Sequence, residues 1–199
     1  MHEGALEREH RLLPVAGDGD TEHSHSARAS RVSSVGRAGC ETRAVGAIDD
    51  LLRNNDRFVT TFAHGSLEPH PAHAVALLTC MDARIDPARA LGLVPGDAHV
   101  LRNAGGIVTD DAERSIAVSQ RALGTREVMV VQHTRCGMQG LDPSALGLPP
   151  QTPLGAFDDL EASVRASVAR LRDSALLLHH DAIRGFVYEV ETGRVRELT

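Results

Sequence analysis

The chain has 199 residues, 42% of them hydrophobic and only 3% aromatic, with a formal net charge of −6. That length suits one domain with a sizeable, mostly aliphatic core. The acidic balance, with no basic stripe in the folded part, excludes nucleic acid as the main partner. No apolar run is long enough to span a bilayer and no secretory signal opens the sequence, so a cytoplasmic protein with no membrane partner is expected.

Residues 1–44 hold few large apolar side chains and no clear period, and the run Gly17-Asp18-Gly19-Asp20 and the Ser-rich stretch 24–34 are loop signals. They read as a flexible, disordered leader ahead of a working domain over 45–199. A helix is expected from about Ala47 through Arg53, followed by a loop containing Pro69, His70, Pro71 and His73. Val75 to Thr79 is short, apolar and unalternating, as a strand buried on both faces should be. Asp86 and Pro87 mark a helix start and Gly92 its end. Ala98 to Leu101 reads as a second strand, leading into Arg102-Asn103-Ala104-Gly105-Gly106.

Thr109 or Asp110 caps the next helix, in which Ala112, Ile116 and Leu123 keep helical spacing and Gly124 gives the stop. Glu127 to Val131 is a third strand. A Gly- and Pro-rich loop runs from Gly137 to Pro153. A helix is expected from about Phe157 to Asp173, with Leu160, Val164, Val168 and Leu171 on one face. Gly185 to Val190 reads as the last strand, with a turn at 191–194. Strands alternating with helices imply an α/β fold, a mostly parallel central sheet flanked by helices, with an N-terminal helical arm.

In such sheets ligands bind beyond the carboxyl ends of the strands. Cys80 follows the first strand; His133 and Cys136 follow the third. If those strands are neighbours, two thiols and one imidazole meet in one crevice, a ligand set that suits Zn²⁺. Zinc lowers the pKa of a bound water to about 7, which provides a nucleophile at neutral pH. Cys40 lies in the leader, and the odd cysteine count is not a disulfide framework.

Asp82 sits two residues from Cys80 and has two possible seats. It can be the fourth ligand, closing the site as a structural one. Alternatively Arg84 can hold it off the metal in a bidentate pair, leaving an acceptor beside the bound water. Taken singly, Cys80 and Cys136 also read as small buried hydrophobes. Arg102 is expected to have a structural job, such as pairing with a carboxylate in the sheet or at a subunit contact. Asp110, Asp111 and Glu113 read as favourable first-turn charges. His64, His70, His73 and His99 read as loop or surface groups, and His179 and His180 as partners of a helix end.

Cys80-x-Asp82-x-Arg84, Arg102-Asn103-Ala104-Gly105 and His133-x-x-Cys136-Gly137 together resemble the β-class carbonic anhydrases. The similarity runs from about Ala47 to the C-terminus and is closest to a short bacterial subgroup. The resemblance implies one Zn²⁺ per subunit on Cys80, His133 and Cys136. It implies a dyad of Asp82 and Arg84, in which the Asp binds zinc or gives way to water, and a Gly137 backbone N–H for substrate. It also implies reversible hydration of CO₂ to bicarbonate and a proton. The assembly implied is a homodimer or a dimer of dimers, with residues 47–60 laid over the partner. Two other readings stay open: a COS/CS₂ hydrolase on the same zinc site, and a non-catalytic zinc-binding assembly protein.

Overall fold

The apolar runs pair into one sheet. β1 (Val75–Cys80), β2 (Ala98–Asn103), β3 (Glu127–His133), β4 (Ile183–Tyr188) and β5 (Val195–Leu198) lie in the order β2-β1-β3-β4-β5. The first four run parallel, and β5 returns antiparallel on β4. This computed structural model describes residues 46–199, so the leader 1–44 and Cys40 lie outside the described residues. Residues 51–199 form one compact unit. The architecture is the expected α/β one.

The helices start and stop where local chemistry dictates. Asp86 accepts from the Arg89 N–H at the start of α2 (Pro87–Leu91), and Gly92 ends it in the left-handed region. Thr109, not Asp110, caps α3 (Asp110–Leu123), and Gly124 closes it. α4 (Leu160–Arg172) begins later than the apolar period suggests, because Asp159 caps it by accepting from Ala162 N–H. α1 (Ala47–Val59) is the N-terminal helix. None of its residues is buried, and Leu51, Leu52, Phe58 and Val59 all lie exposed.

One expectation changes. The strand expected over 185–190 spans Ile183–Tyr188, and the turn after it leads into a fifth strand that pairs Tyr188 with Val195. His179 and His180 follow α4, which ends at Arg172, and the His179 backbone is bonded to the Gln120 side chain near the end of α3.

One face of the sheet carries the main core. Leu78, Val128, Val130 and Ile183 pack there against Ala112 and Ile116 of α3 and Val168 and Leu171 of α4. Arg170 of α4 is paired with both Asp110 and Glu113 of α3, so these first-turn acids also tie the two helices together. The opposite face carries the short α2 over Leu77, Thr79 and Val131, and Met129 and Phe186 remain only half-buried.

Candidate metal centre

β1 and β3 are hydrogen-bonded neighbours, with Thr79 opposite Val131. The next residue on β1 is Cys80. Two residues further along β3 is His133, the last of that strand, and Cys136 lies just past it. One ligand atom from each of Cys80, His133 and Cys136 lies within 4.8 Å of the others, and all three residues are buried. The convergence expected from strand order is present.

Gly106 lets the turn after β2 pack closely against the paired β1 and β3. Its φ is +62°, and a Cβ there would lie 2.8 Å from Cys80 N and 3.0 Å from the Val131 carbonyl oxygen. Gly106 is therefore a bare backbone wedge against both strands rather than a simple turn.

Hydrogen bonding and burial set the states of His133 and Cys136. The Thr134 carbonyl, which can only accept, lies 2.8 Å from His133 Nδ1. In the neutral ring that nitrogen must carry the proton, so Nε2 presents a lone pair. Nε2 is fully buried and has no hydrogen-bond partner. Burial pushes the His133 pKa down, which favours the neutral ring. Burial also pushes the Cys136 thiol up to about 11, with the neighbouring Cys80 adding to the effect. An orphaned buried nitrogen beside two buried thiols is a costly arrangement in isolation. A soft divalent cation satisfies all three, so the residues present fit zinc.

Asp82 occupies the Arg84-held seat. Its Oδ1 accepts from Arg84 Nε and from the Arg84 backbone N–H, both at 2.9 Å. Its Oδ2 accepts from Arg84 Nη2 at 2.7 Å and lies 3.8 Å from His133 Nε2. The Arg84 bonds hold the Asp82 carboxyl far below the usual carboxylate range, so it stays ionised. Arg84 also donates to the Arg135 carbonyl at 3.0 Å, which links the two ligand loops.

Arg102 has the structural job expected of it, with backbone carbonyls as its partners. It donates to the carbonyls of Cys80 (2.9 Å) and Asp82 (2.7 Å), not to a carboxylate. It thus holds the backbone of the first ligand loop from the neighbouring strand. Asn103 ties Ala104–Gly106 back on itself through both its amide atoms, which bond the Ile107 backbone. His99 is on β2, with its ring bonded to Ser119 and the Pro69 carbonyl, away from the centre. Gly137 borders open space. Around the thiols, Ile85, Met138, Phe157 and Tyr188 form an apolar sheath.

A family model described as carbonic anhydrase matches residues 75–148, which span both ligand loops. A beta-carbonic anhydrase 1 of Mycobacterium tuberculosis is 40% identical over 159 residues, covering 76% of this chain and 97% of the relative. The chain belongs to the β-carbonic anhydrases. This family membership makes it an enzyme of the carbonic anhydrase class rather than a structural zinc protein. The crystal structure of a carbonic anhydrase from Streptococcus mutans superposes with a TM-score of 0.72 at 40% identity, covering 77% of this chain and 98% of that one. A carbon disulfide hydrolase of Acidianus is 37% identical over 154 residues, covering 61% of this chain and 75% of the relative.

Sequence reading missed Thr134, Arg135 and Glu191. Glu191 accepts from the Thr134 hydroxyl at 2.7 Å and lies 2.6 Å from Arg135 Nε. A contact between residues 57 positions apart left no local signal. It depends on the β4–β5 turn, which brings residue 191 back to the end of β3.

Proposed function

We propose that this β-carbonic anhydrase hydrates CO₂ reversibly to bicarbonate at one zinc ion held by Cys80, His133 and Cys136. The observation that carries the reading is the buried, unpartnered His133 Nε2 beside the two thiols, with Asp82 Oδ2 at 3.8 Å. When bound, zinc supplies Lewis-acid activation of a water molecule at neutral pH. The protein's own residues do the rest.

Arg84 uses three donors on Asp82, two of them on Oδ1. Oδ2 is left with spare acceptor capacity on the side of His133. Because the carboxyl is ionised, it accepts a proton-bearing oxygen and does not donate to one. It therefore orients a nucleophile with its O–H toward Asp82 and a lone pair outward. The apolar sheath of Ile85, Met138, Phe157 and Tyr188 suits an uncharged, linear substrate and keeps bulk water out. The Gly137 backbone N–H is the proposed donor to a substrate oxygen.

The working unit proposed is a homodimer or dimer of dimers. The apolar residues α1 leaves exposed support this, since a helix of that kind needs a partner to cover it. The proposed location is the cytoplasm, where reducing conditions keep both thiols available as ligands; among the described residues no helix is long and apolar enough to cross a membrane.

The similarity to a carbon disulfide hydrolase supports a second reading, hydrolysis of CS₂ or COS on the same residues. Stopped-flow assays on CO₂, COS and CS₂ with zinc-loaded protein separate the two. Turnover of CO₂ far above the sulfur substrates is the expected result. Turnover of COS or CS₂ with none on CO₂ replaces the first reading by the second.

A further inference from the structure

Thr134 and Arg135 form the short link between the candidate ligands His133 and Cys136, and the structure ties both down. Thr134 donates its N–H to the Tyr188 carbonyl at 3.0 Å, and its own carbonyl is the group bonded to His133 Nδ1. Arg135 has a backbone φ of +53°, left-handed and non-glycine. Such a conformation is unfavourable for an L side chain and persists only where surrounding contacts hold it. The Arg135 carbonyl, presented by that conformation, is the one Arg84 uses.

One side chain reaches both residues. Glu191 Oε2 accepts from Thr134 Oγ1 at 2.7 Å, and Glu191 Oε1 lies 2.6 Å from Arg135 Nε. Thr134 Oγ1 in turn accepts from the Val190 N–H at 3.1 Å. The pairing of His133 with Tyr188 in the sheet puts the turn after β4 beside the ligand loop.

We infer that Glu191 is a positioning residue for the metal centre. By holding Thr134 and Arg135 together, it fixes the carbonyl that sets the His133 tautomer and the carbonyl that seats Arg84 on Asp82. The inference rests on the zinc reading above. The Arg135 and Glu191 side chains are 71% and 38% exposed, and ion pairs at such exposure add little to folding. The effect belongs to the geometry of the loop, where loss of a group that orients a ligand typically costs about 10–100-fold in metal affinity.

The same hairpin supplies the control. Arg184 and Glu197 form a pair of similar exposure, 52% and 38%, remote from the ligand loops.

The test uses the full chain, stripped of metal and titrated with Zn²⁺ and Co²⁺ against a competing chelator, with the visible spectrum of the Co²⁺ form recorded. Glu191→Ala is expected to weaken both metals about tenfold or more and to change the Co²⁺ spectrum. Its urea midpoint without metal should match wild type. Glu191→Gln keeps an acceptor for Thr134 and should recover part of the loss. Glu197→Ala should bind as wild type does. The inference is overturned if Glu191→Ala binds within about twofold of wild type, or if Glu197→Ala loses as much. A wild-type chain that binds neither metal defeats the zinc reading itself and the positioning role with it.

Discussion

Gly106→Ala tests whether the close seat of the Ala104–Gly106 turn against β1 and β3 needs a bare backbone there. At φ +62° the new residue stays in the left-handed region, which costs about 1–2 kcal/mol. Its Cβ would meet Cys80 N at 2.8 Å, the Thr79 carbonyl carbon at 2.9 Å and the Val131 oxygen at 3.0 Å. All three are backbone atoms of paired strands, so none can swing aside. Overpacking of that kind adds about 1–3 kcal/mol. The sum, about 2–5 kcal/mol, is a large part of the about 5–15 kcal/mol that holds a typical domain together. With a urea slope of about 1–3 kcal/mol per molar, the midpoint should fall by about 1 M or more. Gly137→Ala is the comparison, since a Cβ there meets nothing within 4 Å. Paired urea titrations decide the matter. A Gly106→Ala midpoint equal to that of Gly137→Ala would refute the wedge.

Asp82→Asn keeps the shape and removes the charge that Arg84 holds. Zinc content should stay at wild-type level while CO₂ turnover falls by about 10²–10³, measured by stopped flow beside metal analysis. Parallel loss of zinc would instead make Asp82 a required ligand. The metal-free protein should lose stability as pH rises from about 9 toward 11, followed by urea titration at each pH. The sign follows from burial. The Cys136 thiol in the fold ionises later than in the unfolded chain, so over that window the unfolded chain gives up its proton first. Stability that does not change with pH there would show the thiol is not held protonated by the fold.

Much of the site was legible because its donors stand at strand ends. The apolar runs before Cys80 and His133 read as strands, and a parallel sheet puts their tips at one edge once the two are neighbours, which the strand order makes them. Asp86, Thr109, Gly92 and Gly124 announced helix ends through their own chemistry, and the structure uses each of them. β5 was not legible. Val195-Arg196-Glu197-Leu198 is four residues long with two charges, and only pairing with β4 makes it a strand. The structural job of Arg102 was legible but its partners were not, because an arginine side chain suits carboxylates and carbonyls alike, and only the fold puts the Cys80 and Asp82 carbonyls in its reach. Glu191 was placed in a turn, but its contact with Thr134 and Arg135 needed β5 to fold that turn back on the end of β3.

X-ray absorption at the zinc edge, on the full chain with its metal content measured, bears most directly on the proposed centre. The account predicts one zinc per chain in a four-coordinate shell, with two sulfurs at about 2.3 Å, one imidazole nitrogen at about 2.0 Å and one further light ligand. A protein that holds no zinc, or a shell without sulfur, would contradict it.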